Sequence, residues 1–257
     1  MKNVVFIPNV NLGNGRSTPY HYSVKSWQHW CDKNDVLLLE WTEPIMDSEV
    51  FPIIMQREWV FDILEHNDID YDQVLIVDAD TIVHPDCPNF FNETEHKYSA
   101  VVNNGCYEWM TRSVRDWRAA MFPNEPLVKP YDYFNTGFVI VNKTHKPFFN
   151  EMKEMFLNRG EEIKTHRDRI KASTGQTIVN FMLNKHNIEV TKLSEAYNLQ
   201  DMFRKNLLHI PSHSWFTDEL HFLDAGWVYH FNAIPQNDRH VSYWMERTYN
   251  ELYKNIK

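Results

Sequence analysis

The sequence predicts an α/β fold, a single domain built on a mostly parallel central sheet flanked by helices. Three observations carry that expectation. Short apolar runs alternate with longer stretches whose apolar residues recur at helical spacing, the pattern of strands joined by crossover helices. The short runs are apolar throughout, as in strands covered on both faces. The chain of 257 residues is 43% hydrophobic and has no internal repeat, low-complexity tract or Gly-, Ser- or Pro-rich linker, so one large core accounts for it.

Taken in order, Val4–Ile7 reads as the first strand, followed by a polar loop over Asn9–Arg16 and a helix from Pro19 to about Lys33. Val36–Trp41 is the next apolar run. Met55, Trp59, Val60, Ile63 and Leu64 recur at helical spacing, and Val74–Val77 and Ser99–Val102 are further strands. The stretch between Asn103 and Tyr133 fits the alternation poorly and reads as an insertion with one short helix around Ser113–Met121. Gly137–Val141 is another strand. Pro147 suits a first helical turn, with Phe148, Phe149, Met152, Met155 and Phe156 marking that helix's core face. Thr174 is placed to cap a helix through about Lys185. The stripe Val241, Trp244, Met245, Thr248, Tyr249, Leu252 and Tyr253 is a packing face.

Bulk properties narrow the function. Net charge is −9, which disfavours nucleic acid as a primary partner, since a phosphate-backbone binder carries a basic face. The modified base of a DNA stays open as an acceptor. Cys31, Cys87 and Cys106 are few and scattered, neither a disulfide framework nor a zinc pattern, which fits a reducing cytosol. The N-terminal apolar run is too short for a signal segment, and no stretch approaches the ~18 apolar residues of a membrane span. A cytoplasmic location is therefore expected. The sequons at Asn92 and Asn142 are read as chance matches.

The most informative stretch is Val74-Leu75-Ile76-Val77-Asp78-Ala79-Asp80-Thr81. Ligands of open α/β sheets sit beyond the carboxyl ends of strands. Residues i and i+2 of a strand point the same way, so Asp78 and Asp80 can address one ligand. Hard carboxylate oxygens suit Mg²⁺ or Mn²⁺; turn and cap roles are the plainer use of such residues. Phe134-Asn135-Thr136-Gly137, Gly175-Gln176-Thr177-Ile178-Val179-Asn180 and His230-Phe231 each place polar groups beside an apolar element.

An apolar strand ending in Asp-x-Asp, then Phe-Asn-Thr-Gly, then Gly-Gln-x-x-x-Asn, then a late His-Phe, resembles in that order the nucleotide-sugar glycosyltransferases of the GT-A fold. The nearest likeness is to family 8, the glycogenin and lipopolysaccharide galactosyltransferase type. The compact chain also resembles phage-encoded glycosyltransferase-like proteins, which would place it in a host cytoplasm. The resemblance implies a metal-dependent, retaining transfer of a hexose from a UDP-sugar donor, with Asp78, Asp80 and His230 holding the metal. Imidazole favours Mn²⁺ over Mg²⁺. It further implies a donor site including Pro8, Asn9, Asn11, Arg57, Ala79 and Gly137, with Asn135 and Gln176 flanking the transferred sugar. By the same likeness, residues 1–102 bind nucleotide, 103–133 serve the acceptor and 134–257 complete the sugar and metal sites.

The chain departs from the family's pattern in three places. The loop after the first strand lacks the aspartate the family often carries, Arg57 is further from Asp78 than usual, and Gly175 stands where relatives have an acidic residue. Met202–Lys205 and His209–Trp215 are read as a diphosphate or acceptor loop. Lys164, Arg167, Arg169 and Lys171 form either a cationic lid or a solvated charge run. Three other readings remain open: a phosphohydrolase of the haloacid-dehalogenase type, a sugar-nucleotide pyrophosphorylase, and a non-catalytic carbohydrate-binding relative. A glycan, a lipid-linked sugar, a protein side chain or a small molecule would each serve as acceptor.

Overall fold

A computed structural model describes residues 1–13, 15, 17–208, 219–235 and 240–256. Strand β1 (Lys2–Pro8) leads through helix α1 (Tyr20–Asn34) to β2 (Leu37–Trp41). A 3-10 segment, Ile53–Trp59, runs into α2 (Val60–His66), then β3 (Tyr71–Val77), β4 (Thr81–Val83) and β5 (Tyr98–Val102). Helix α3 (Tyr107–Met121), strand β6 (Phe134–Asn142) and helices α4 (Lys146–Ile170) and α5 (Gly175–Lys185) follow. The described chain closes with β7 (Val190–Leu193), β8 (Val228–His230) and α6 (Val241–Tyr253).

Six strands form the central sheet in the order β2-β1-β3-β6-β5-β7. β1 pairs parallel with β2 and β3, and β5 parallel with β7; β6 alone runs against both its neighbours. The expected mostly parallel α/β sheet is therefore present, with one reversed strand near its middle. The chain leaves β1 towards β2 and returns to β3 on the other side. That crossing makes the carboxyl ends of β1 and β3 a topological switch point, where such sheets open a ligand crevice.

Both sheet faces are covered, and the strand period of two divides the apolar runs between them. Val4, Phe6, Val74 and Ile76 pack under α2, α3, α4 and α5, with Met110, Val114, Trp117 and Met121 of α3 in the same cluster. Val5, Ile7, Leu75 and Val77 face α1 through Trp27 and Trp30. Helix α3 is thus longer than the short helix read from sequence, and it belongs to the main core. A third cluster, with Ile82, Tyr229, Trp244 and Met245, lies under α6.

β4 and β8 form a separate two-stranded antiparallel sheet in which Thr81 pairs with His230. Neither strand was foreseen. Among the described residues no helix is long and apolar enough to cross a membrane, and all three cysteines are unpaired.

Candidate active site and metal centre

Asp78, Ala79 and Asp80 form the turn between β3 and β4, and four hydrogen bonds pin it. Asp78 N–H donates to the Gly137 carbonyl (3.0 Å) and Phe231 N–H to that of Asp80 (2.8 Å). The Thr81 hydroxyl donates to the Asp78 carbonyl (2.8 Å) and accepts from Trp27 Nε1 (3.0 Å). The β4–β8 pairing then brings His230 alongside. Its Nε2 lies 3.2 Å from Oδ1 of Asp80 and 3.6 Å from Oδ2 of Asp78. One ligand atom from each of the three residues falls within 4.8 Å of the others, so together they could hold one metal ion.

The hydrogen-bond pattern behind His230 fixes its tautomer. Oδ1 of Asn135 accepts from Gly137 N–H (2.8 Å) and from Nδ2 of Asn198 (3.0 Å). Asn198 therefore turns its own Oδ1 to His230 Nδ1, 3.0 Å away, and an amide oxygen can only accept. Nδ1 carries the proton, which leaves Nε2 facing the carboxylates. In this neutral form that atom is buried and has no hydrogen to share with the carboxylates it faces. A buried polar atom without a partner is costly; a cation between Nε2 and the two aspartates removes that cost. Two carboxylate oxygens and one imidazole nitrogen fit a divalent metal ion, and the amide behind the ring is the outer contact that ligating histidines make. Burial disfavours the imidazolium, but Asp80 and Asp78 outweigh it and hold the His230 pKa above its ordinary value.

Gly137 makes room for this arrangement. A Cβ there would stand 2.4 Å from Cε1 of His230 and 2.6 Å from Oδ2 of Asp78, so no larger residue fits without displacing them. Arg57 reaches the same aspartate from the 3-10 segment: its Nη1 lies 2.8 Å from Asp78 Oδ1 and donates to the Thr136 carbonyl (2.6 Å). Position 175 is filled in another way. A Cβ on Gly175 would meet Met55 Sδ at 2.4 Å, so a thioether fills the space beside this glycine.

The cleft at the switch point is lined by Pro8, Asn9, Tyr20, Arg57, Asp78 and Asp80, among others, with the buried Ala79 also in its wall. Asn9 donates to Glu40 (2.7 Å) and keeps a buried Oδ1 without a partner. Asn11 does not line the cleft; its Oδ1 accepts from Gly13 N–H (2.9 Å). Asn135 and Gln176 also lie outside the lining. Gln176 Oε1 accepts from Thr136 N–H (3.2 Å), and Asn180 clamps the middle of α5 to Phe134 through both its amide groups.

Met202 is buried in the third core cluster, while Arg204 and Lys205 engage Asp201 and Asn104 at 2.6 Å each. His209–Trp215 lie outside the described residues. Lys164, Arg167 and Arg169 belong to the last turns of α4, with Lys171 as its C-cap. Sequence reasoning missed Asn198, Tyr20, Ile53 and Ile54. For Asn198 no local signal exists, since its role depends on His230 and Asn135 meeting it in space.

No protein-family model matches the chain, and no curated protein matches its sequence. Among solved structures it is similar to a glycosyltransferase involved in the glycosylation of the major capsid of PBCV-1. That likeness covers 96% of this chain and 100% of the other, at 11% identity and a TM-score of 0.62. It is also similar to the galactosyltransferase LgtC, solved with donor and acceptor sugar analogues, over 98% of this chain and 95% of that one, at 15% identity and a TM-score of 0.49. For the glycosyltransferase GlyE of Streptococcus pneumoniae TIGR4 the figures are 98% and 60%, 13% and 0.45. At such identities the likeness is one of fold, and the fold is of the GT-A type that the motif order resembles.

Proposed function

We propose that this protein is a metal-dependent glycosyltransferase that moves a hexose from a UDP-sugar to an acceptor hydroxyl with retention of configuration. One observation carries the reading: Asp78, Asp80 and His230 converge at the switch point of a GT-A fold with the histidine's Nε2 otherwise unpartnered. A divalent ion held there supplies charge neutralisation for a diphosphate leaving group.

The chain's own residues do the rest. Pro8, Asn9 and Tyr20 bound the end of the cleft where β1 stops and offer a seat for the nucleoside. Arg57, tied to Asp78 and to the Thr136 carbonyl, adds fixed positive charge beside the diphosphate. Asn135, with its Oδ1 already accepting two hydrogen bonds, serves as a positioning residue for Asn198 and His230. Gln176 sits one peptide from Arg57's carbonyl partner and marks the sugar end. In the transfer, the bond from C1 to the diphosphate oxygen breaks and UDP leaves with the electron pair. The acceptor oxygen bonds to C1, and its proton passes to the departing phosphate. The transition state is oxocarbenium-like.

Among the described residues the carboxylates lining the cleft are Asp78 and Asp80, both committed to the metal site. That supports same-face attack over a covalent glycosyl intermediate, and a trapped glycosyl-enzyme adduct would overturn it. The phosphohydrolase reading needs a free strand-end carboxylate as nucleophile, whereas Asp78 is held by Arg57 on one oxygen and lies near His230 on the other. The experiment is a screen of nucleotide sugars for Mn²⁺-dependent rises in melting temperature, followed by donor hydrolysis and transfer. Asp78→Asn and Asp80→Asn are expected to abolish the Mn²⁺-dependent rise and to lower turnover on the order of a thousandfold. Metal-independent binding, or an unchanged Asp80→Asn, would overturn the reading.

A further inference from the structure

A second groove, about 800 Å³ in volume, opens beside the donor cleft between the segment from Ser48 to Met55 and the second half of α4. Leu12, Ile53 and Ile54 line both spaces, so the groove and the cleft are neighbours that share a wall. At its other end the groove reaches Thr174, two residues before Gln176. Its volume falls within the ~300–1,000 Å³ typical of small-molecule sites.

Three features describe what it could hold. Its depth is apolar: Met55, Phe156 and Ile163 are buried there. Its rim is apolar and wet, with Leu12, Val50, Ile54 and Leu157 between 43% and 60% exposed. Large apolar side chains gathered in water around one concavity mark a binding surface. Its charges cancel. Arg159 pairs with Glu162 (2.7 Å), Lys164 with Glu49 (3.8 Å) and Arg167 with Asp168 (3.0 Å), so each cation lining the groove already has a carboxylate. α4 breaks its helical dihedrals at Arg159 (φ −123°, ψ 20°), just before Gly160, where the Val50 carbonyl comes closest.

We propose that this groove seats the uncharged, apolar aglycone of the acceptor, an alkyl or aryl group whose attached sugar hydroxyl reaches the donor cleft past Ile54. Because each lining cation is already paired, an anionic carrier lipid finds no free positive charge in the groove. The walls are helix, 3-10 turn and loop, with no strand edge to pair an extended peptide. This rests on the glycosyltransferase reading, which supplies the reason for an acceptor to lie beside the cleft.

The test compares n-octyl with methyl β-glycosides of glucose, galactose and mannose, below micelle-forming concentrations, as ligands and as acceptors. Binding is read by tryptophan fluorescence and transfer by UDP release. An octyl glycoside is expected to bind at least tenfold more tightly than its methyl partner. The double variant Val50→Asp/Leu157→Asp, at two exposed positions away from the donor cleft, is expected to erase that preference while Mn²⁺-dependent donor hydrolysis stays unchanged. Equal binding of the two glycosides, or a preference that survives the double variant, overturns the groove assignment. So does tighter binding of an apolar peptide, or a monomer–dimer shift lost in the variant. If donor hydrolysis itself is absent from the wild type, the glycosyltransferase reading falls instead, and the glycoside binding data still judge the groove.

Discussion

The two sides of the cleft are built on opposite terms. On the metal side, Asn135, Asn198 and His230 are almost wholly buried and linked in one chain of hydrogen bonds that ends at the Gly137 amide. On the groove side, Val50, Ile54 and Leu157 stand in water beside ion pairs between exposed residues. A change in the first region disturbs partners that cannot relax. A change in the second alters mainly what the surface attracts. On the proposed reading, such a division would let one metal-binding framework serve different acceptors, because the residues proposed to face the acceptor are not those proposed to fix the chemistry.

The hardest test of that contrast is Gly137→Ala. A single methyl has to displace His230 and Asp78, so Mn²⁺-dependent thermal stabilisation is expected to vanish, together with a loss of about 1–3 kcal/mol in stability from overpacking. Retained Mn²⁺ binding would show the metal side to be far more pliant than described.

Asn198→Ala comes next. It removes the acceptor that holds the Nδ1 proton, and a loss of roughly 10–100-fold in Mn²⁺ affinity is expected, measured by electron paramagnetic resonance of free Mn²⁺. Asn198→Asp, which can still accept from Nδ1, is expected to recover part of it. Equal losses in both variants would reduce Asn198 to simple packing.

The mildest effect on the site is expected from Glu58→Gln. Burial pushes the Glu58 carboxyl up to about 7, against the opposing pull of Arg57 and Lys153. Its folded-state pKa is above the unfolded value, so stability is fullest in acid and declines as pH rises from the ordinary glutamate range to about 7. The ceiling on that decline is about 3 kcal/mol. Glu58→Gln should melt several degrees higher than wild type at pH 8 and at the same temperature at pH 4, with Mn²⁺ affinity unchanged. Identical melting at pH 8 would separate Glu58 from the acid preference.

Much of the frame was legible in the sequence because burial on both faces leaves an unmistakable apolar run. Val74–Val77 and the aspartates beyond it needed only strand geometry. The direction of β6 was not legible, since a strand buried on both sides looks the same whether parallel or antiparallel. β4 and β8 are three residues each, too short to show any period. His230 was reached through motif order. Asn135 was read as flanking the transferred sugar, and nothing in the sequence signals that its oxygen also supports Asn198 behind the histidine. Sequence marks the residues that can do chemistry; which of them support others is decided by long-range contacts.

The pairing of Thr81 with His230 has a consequence in time as well as space. The aspartates emerge from the ribosome about 150 residues before the histidine, so a growing chain carries two-thirds of the metal site long before the remainder. Until β8 docks on β4, such a chain has two carboxylates and no imidazole beside them, and would hold a divalent ion only weakly. Closing so long a loop is entropically costly, and an ion that bridges its ends offsets part of that cost. The metal would then act in folding as a late clasp, tightening the last third of the chain onto the first.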